Sequence, residues 1–280
     1  MVEVRRDGAF SVNSVGLNRE TFPLSFSVRE AADCWVVHAT AAQAAELADI
    51  LTDAAKDTVV VVDLETTSFL DDQYVQWKPS RIAAAQGVDC STHDLGELAA
   101  GVVGLSEEVL VMRADDLPGF LDGWYPYELT MLGLAETPGA DRLDEIALAV
   151  GTARHDRPVL PTLTGCCLWY SGHDDCYVWV EAGDGRVPLA VFGRLLTLLA
   201  GSALVTDALS VELSDPPEAL VGAMLAESQQ WVGTLGTVSP TTVTVSLSAT
   251  SRPWRLAHPL PGRVDRTAVY DIVDATWHLA

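Results

Sequence analysis

Hydrophobic and polar residues alternate in several short runs along this chain, and a period of two predicts strands. Phe22 to Val28 (FPLSFSV) and Cys34 to Thr40 (CWVVHAT) read as a first pair, separated by a polar turn at Arg29 to Asp33. The period then changes. Over Ala41 to Ala55, Leu47, Ile50, Leu51 and Ala54 fall on one face of a helix. Thr58 to Leu64 (TVVVVDL) is a β-branched run and the clearest strand in the chain.

The same order recurs later. Leu163 to Tyr170 reads as a strand, Ser171 to Asp175 as a turn, and Cys176 to Glu181 (CYVWVE) as another strand. A turn at Gly183-Asp184-Gly185 precedes a helix from Pro188 to Ala200, striped by Val191, Leu195, Leu198 and Leu199. Asp33-Cys34-Trp35-Val36 and Asp175-Cys176-Tyr177-Val178 lie 142 positions apart, as a tandem duplication of a hairpin–helix–strand unit would leave them.

The expected fold class is therefore α+β and β-rich. Two similar halves each carry a hairpin and sheet with one packed helix, in a β-sandwich-like arrangement. The N-terminal half spans 1–114 with its helix at 41–55, and the C-terminal half spans 142–266 with its helix at 188–200. Between them, 115–141 is rich in Gly, Pro and aromatics, and Pro118-Gly119 and Pro138-Gly139 mark it as a connector. Trp124, Tyr125 and Tyr127 in that connector suit either an exposed contact surface or an aromatic plug against the core. Thr241 to Ala249 alternates cleanly as a strand. Residues 267–280 (TAVYDIVDATWHLA) read as a C-terminal arm held by a neighbouring subunit, with Tyr270 and Trp277 as its contact candidates.

Composition narrows the function. Over 280 residues, 49% hydrophobic content and a mean hydropathy of +0.20 exclude a disordered chain. The 39 acidic residues against 17 basic ones give a net charge of −22, which leaves little from which to build a phosphate-binding face. No nucleic-acid partner is expected. Residues 1–140 hold 8 basic and 23 acidic groups and residues 141–280 hold 9 and 16, so both halves favour a basic partner. Met1 to Asp7 (MVEVRRD) is charged where a secretory signal would turn apolar. Leu189 to Val205 is the best membrane candidate, but it is short, follows Pro188 and carries Arg194. It reads as a buried helix, so no membrane insertion is expected.

Five cysteines without a secretory signal point to reduced thiols. Cys166, Cys167 and Cys176, with His173 between them, fit no zinc spacing, and adjacent cysteines on a strand face opposite ways. Neither a metal nor a cofactor is expected. The sharpest enzymatic signal is Asp63-Leu64-Glu65-Thr66-Thr67, which resembles the first motif of the DEDD 3′–5′ exonucleases. Tyr270-x-x-x-Asp274 looks like that family's last motif. The resemblance implies that Asp63, Glu65 and Asp274 hold metal ions. No middle carboxylate motif or basic channel accompanies them. Cys90 to Asp94 (CSTHD) brings a thiol and an imidazole close, but in a turn-like setting.

Only Lys56 and Lys78 are lysines, and with abundant Ala, Val and Asp this suggests a high-GC coding sequence. Leu195 to Ser202 runs into a strand, followed by Trp231 to Val238. The alternating strand to Ala249 comes before Arg252-Pro253, and the chain closes on Thr267 to Trp277. In these segments the chain over 190–280 resembles the minor tail and distal-tail-like proteins of long-tailed actinobacteriophages. The resemblance implies a non-catalytic virion component, assembled in a ring of its own copies between tail tube and tip and contacting other tail proteins. Two alternatives stand beside it: an acidic, immunity-type protein that neutralises a basic partner, and the exonuclease.

Overall fold

The computed structural model describes residues 2–4, 24–31, 34–40, 44–55, 57–63, 78–122, 128–153, 165–171, 177–204, 211–249 and 264–280. It is an α+β protein dominated by strands, as the hydrophobic pattern predicts. Two short strands, β1 (Val2–Val4) and β10 (Val211–Leu213), pair with each other. The other twelve form one antiparallel sheet.

From one edge to the other, the sheet begins with β14 (Thr276–Leu279), β13 (Asp265–Asp271), β12 (Thr242–Ala249) and β11 (Gln230–Val238). Next come β2 (Leu24–Ala31), β3 (Cys34–Thr40), β9 (Tyr177–Ala182) and β8 (Cys166–Ser171). It ends with β7 (Glu128–Leu134), β4 (Thr58–Asp63), β6 (Glu108–Arg113) and β5 (Cys90–Asp94).

Two layers of helix cover the sheet. On one face, α1 (Ala48–Ala55), α2 (Pro79–Gln86), α4 (Leu117–Leu121), α6 (Arg186–Leu204) and α7 (Glu218–Glu227) share the larger core. On the other, α3 (Glu97–Ala100) and α5 (Ala140–Gly151) close a smaller one. Strand β4 shows why both are needed. Val59 and Val61 point into the larger core and Val60 and Val62 into the smaller, all four fully buried. Cys166 and Cys167 divide in the same way.

Helix α6 is apolar nearly all round, and by length and composition it could cross a membrane. In this fold it lies in the core, where Phe192 stacks on Phe26 of β2 with ring centroids 4.4 Å apart. Gly133 of β7 permits the close approach of α1, because a Cβ there would come within 2.8 Å of Ala55 Cα and closer still to its methyl.

The structure corrects the expected organisation in three places. The strands do not form one sheet per half. Strand β3 pairs with β9, from Trp35↔Ala182 to Thr40↔Tyr177, and joins the two recurring hairpins at the middle of one sheet. Six strands lie on each side of that junction, and those beside β3 come from both ends of the chain. The expected connector 115–141 contains α4 and the central strand β7, whose Leu129, Met131 and Leu132 are fully buried. Its burial on both faces removes the alternation that marks a half-exposed strand. The expected arm is the hairpin β13–β14 of the chain's own sheet. There Trp277 packs on Tyr270 with ring centroids 5.2 Å apart and donates from Nε1 to the Ser214 carbonyl at 2.7 Å.

Candidate functional site

Tyr270 and Trp277 are 2% and 7% exposed, so neither is the exposed contact residue expected of it. Both satisfy the core of their own chain. Trp124, Tyr125, Tyr127 and Glu65 lie outside the described residues, as do His173 and Cys176. Asp63 ends β4, whereas Asp274 sits in the turn between β13 and β14, with seven strands between the two elements. At about 4.8 Å per strand the separation along the sheet is on the order of 40 Å. The third carboxylate of the metal reading is therefore not brought to the first. Among the described residues no group of three or more His, Cys, Asp and Glu side chains is placed to hold a metal ion. Cys90 to Asp94 is a regular edge strand and not a turn, and its His93 Nε2 pairs with Asp144 of α5 at 2.8 Å.

The residues that do converge are charged, and they surround one arginine. Arg194 sits midway along α6 with its side chain 7% exposed. Its Nη2 and Nη1 donate to the two carboxylate oxygens of Asp49 on α1 at 2.6 and 2.7 Å. Its Nε donates to Asp215, which precedes α7, at 3.0 Å, and Nη1 also reaches the Glu46 carbonyl. Three segments are thus tied to one guanidinium, the bidentate geometry that arginine's planar fork makes with a carboxylate. Burial opposes ionisation of Asp49, but the Arg194 hydrogen bonds and charge outweigh it and hold the carboxyl below its ordinary range. Burial also opposes the Arg194 charge, and the two aspartates overcome it.

Glu46 lies in the 3-10 turn Ala44–Leu47 that leads into α1 and is 9% exposed. Burial pushes its carboxyl up to about 7; the Arg194 charge pulls it back and Asp49 adds to the rise.

This network floors a cleft of about 480 Å³ between α1, the start of α6 and the start of α7. Its charged walls are Asp49, Asp53, Asp184, Asp215 and Glu218 against Arg186 and Arg194. Arg186 is taken up by Asp184 at 2.8 Å, and Arg194 by the two aspartates. Asp53 and Glu218 make no ion pair among the described residues, so the cleft faces solvent with surplus negative charge. Among the described residues that line it there is no thiol, imidazole or hydroxyl. What it offers chemically is recognition of a cation.

Sequence reasoning singled out Arg194 only as a flaw in a membrane helix. The signal was available, since a lone arginine in an apolar stripe that is to be buried requires carboxylate partners. A second polar cluster was also missed. Trp179 Nε1 donates to Glu181 at 3.0 Å and Trp169 Nε1 to Glu128 at 2.7 Å, while His38 packs on Trp179 with ring centroids 4.1 Å apart. The spacing Trp179-x-Glu181 puts both on one face of a strand. Comparison with protein families, with curated proteins and with solved structures finds no match for this chain.

Proposed function

We propose that this is a non-enzymatic binding protein that captures a basic partner. The observation that carries the reading is the cleft, where five carboxylates meet two arginines and Asp53 and Glu218 remain without an ion pair among the described residues. A lysine or arginine side chain entering there finds negative charge that is not already spent on a neighbour. The net charge of −22 adds long-range attraction and speeds encounter with a cationic surface. The test is calorimetric titration with an arginine-rich peptide at low and physiological salt. Binding that weakens with salt, and about tenfold in an Asp53→Asn/Glu218→Gln variant, supports the reading. Absence of binding at physiological salt ends it.

A second reading is assembly into a virion tail alongside other tail proteins. Among the described residues β14 and β5 end the sheet without a further partner, and two unlike edges are what head-to-tail association of copies requires. Light scattering on the purified protein, with mass spectrometry of virions from the same source, tests it. A monomer absent from particles refutes it.

A further inference from the structure

We propose that the outer edge of β5 is a docking site at which an extended, lysine- or arginine-rich segment of a partner protein adds a strand to the sheet. The partner's basic character rests on the function proposed above; the edge geometry does not. Strand β5 pairs only with β6, and among the described residues nothing pairs with its other side. The Leu95 N–H donates to the Glu107 carbonyl at 2.9 Å, which sets the phase of the ladder. Antiparallel alternation then turns the main chain of Ser91 and His93 toward β6, and that of Cys90, Thr92 and Asp94 outward. Ser91, Thr92 and Asp94 are exposed.

Exposed edges are ordinarily blunted by proline, lysine or a bulge. Strand β5 (CSTHD) has none of these, and its register runs unbroken from Cys90↔Met112 to Asp94↔Glu108.

The charge around the edge selects the occupant. Residues 78–122 carry eight carboxylates against Lys78, Arg81 and Arg113. Lys78 is held by Glu107 at 2.7 Å and Arg113 by Asp115 at 3.1 Å. Asp94 ends the strand, and Asp89 and Glu97 flank it. A second copy of a chain with net charge −22 is repelled from such an edge, whereas a cationic strand is drawn to it. From the start of the strand a cavity of about 310 Å³ runs inward across β6 to β4, between Asp89, Cys90, Arg113, Thr58 and Thr137, and has room for one long side chain reaching in from the edge. Main-chain hydrogen bonds would supply affinity, and the flanking carboxylates would supply selection.

The experiment uses the full chain, isotopically labelled, with a short alternating Lys-Val peptide as probe and its Glu-Val counterpart as control. The expected result is slowed amide exchange at Thr92 and Asp94 with the basic peptide alone. Methylating two adjacent main-chain nitrogens of the peptide, so that neither of its edges can pair, should weaken binding about tenfold. Thr92→Pro should do the same from the protein side. Equal binding of the methylated peptide or of the Glu-Val peptide overturns the proposal. So does binding that Asp53→Asn/Glu218→Gln weakens while the Thr92 and Asp94 amides stay unprotected; that outcome preserves the cleft as the binding site. A dimer that Thr92→Pro dissolves would assign the edge to a second copy and also overturn it.

Discussion

Replacing Glu46 with glutamine removes one buried ionisable group and keeps nearly the same volume and polarity. In the folded chain burial pushes this carboxyl from an ordinary 4.5 up to about 7, against the pull of Arg194. A carboxyl raised in this way binds its proton more tightly when folded. Its contribution to stability is therefore complete below pH 4.5 and is lost as the pH rises through 7. At about 1.4 kcal/mol per pH unit, the loss is on the order of 3 kcal/mol. Because Glu46 is only 9% exposed, solvent screening takes little from that figure. The Glu46→Gln chain lacks this dependence. Urea denaturation of both chains between pH 5 and 8 should show the variant gaining on the wild type from pH 5 to about 7 and the gain levelling off toward pH 8. A difference that stays level across this range would refute the reasoning.

Three further outcomes follow from named contacts. Arg194→Leu takes the shared cation from Asp49 and Asp215, whose side chains are 58% and 30% exposed and so keep part of their hydration, and should destabilise the fold by about 1–3 kcal/mol, read from the urea midpoint. Thr130 carries a buried hydroxyl with no hydrogen-bond partner among the described residues, so Thr130→Val should raise stability by about 1 kcal/mol in the same assay. Gly133→Ala forces a methyl into Ala55 of α1 and should lower stability by about 1–3 kcal/mol; an unchanged melting temperature would contradict the close approach.

Local pattern was enough where one face of a strand or helix meets the core. Strand β3 falls on the predicted residues 34–40, β4 and β12 come within a residue of theirs, and α6 extends its predicted span at both ends. Pattern failed where burial is two-sided or where polar residues form the strand. In β7 (ELTMLGL), Leu129 faces one core and Leu132 the other, so no alternation survives to separate it from a loop. Strand β5 (CSTHD) has no apolar stripe, and its place at the edge comes from pairing with β6. The candidate site was legible only in part. Acidity was plain in the composition, but the meeting of Asp49 with Arg194 and Asp215 joins α1 to residues at least 145 positions later in the chain. The contact role given to Tyr270 and Trp277 treated aromatic residues in a terminal segment as free, when a partner strand one turn away buries them.

The pairing of β2 with β11 also bears on how the chain is made. Ser27 sits opposite Gln230, so about 200 residues must be synthesised between one strand and its neighbour. At roughly 5–20 residues per second, the outer side of β2 waits on the order of 10–40 s for its partner. The hairpin β2–β3 can close at once, but β3 in turn waits for β9, so both of its outer sides are open during translation. A fragment that ends at α6 already completes the β3 side with β9, but the β2 side stays open until β11 is made. The N-terminal hairpin thus keeps one edge without its native partner until the last fifth of the chain is made, which places a long-range pairing at the middle of the sheet.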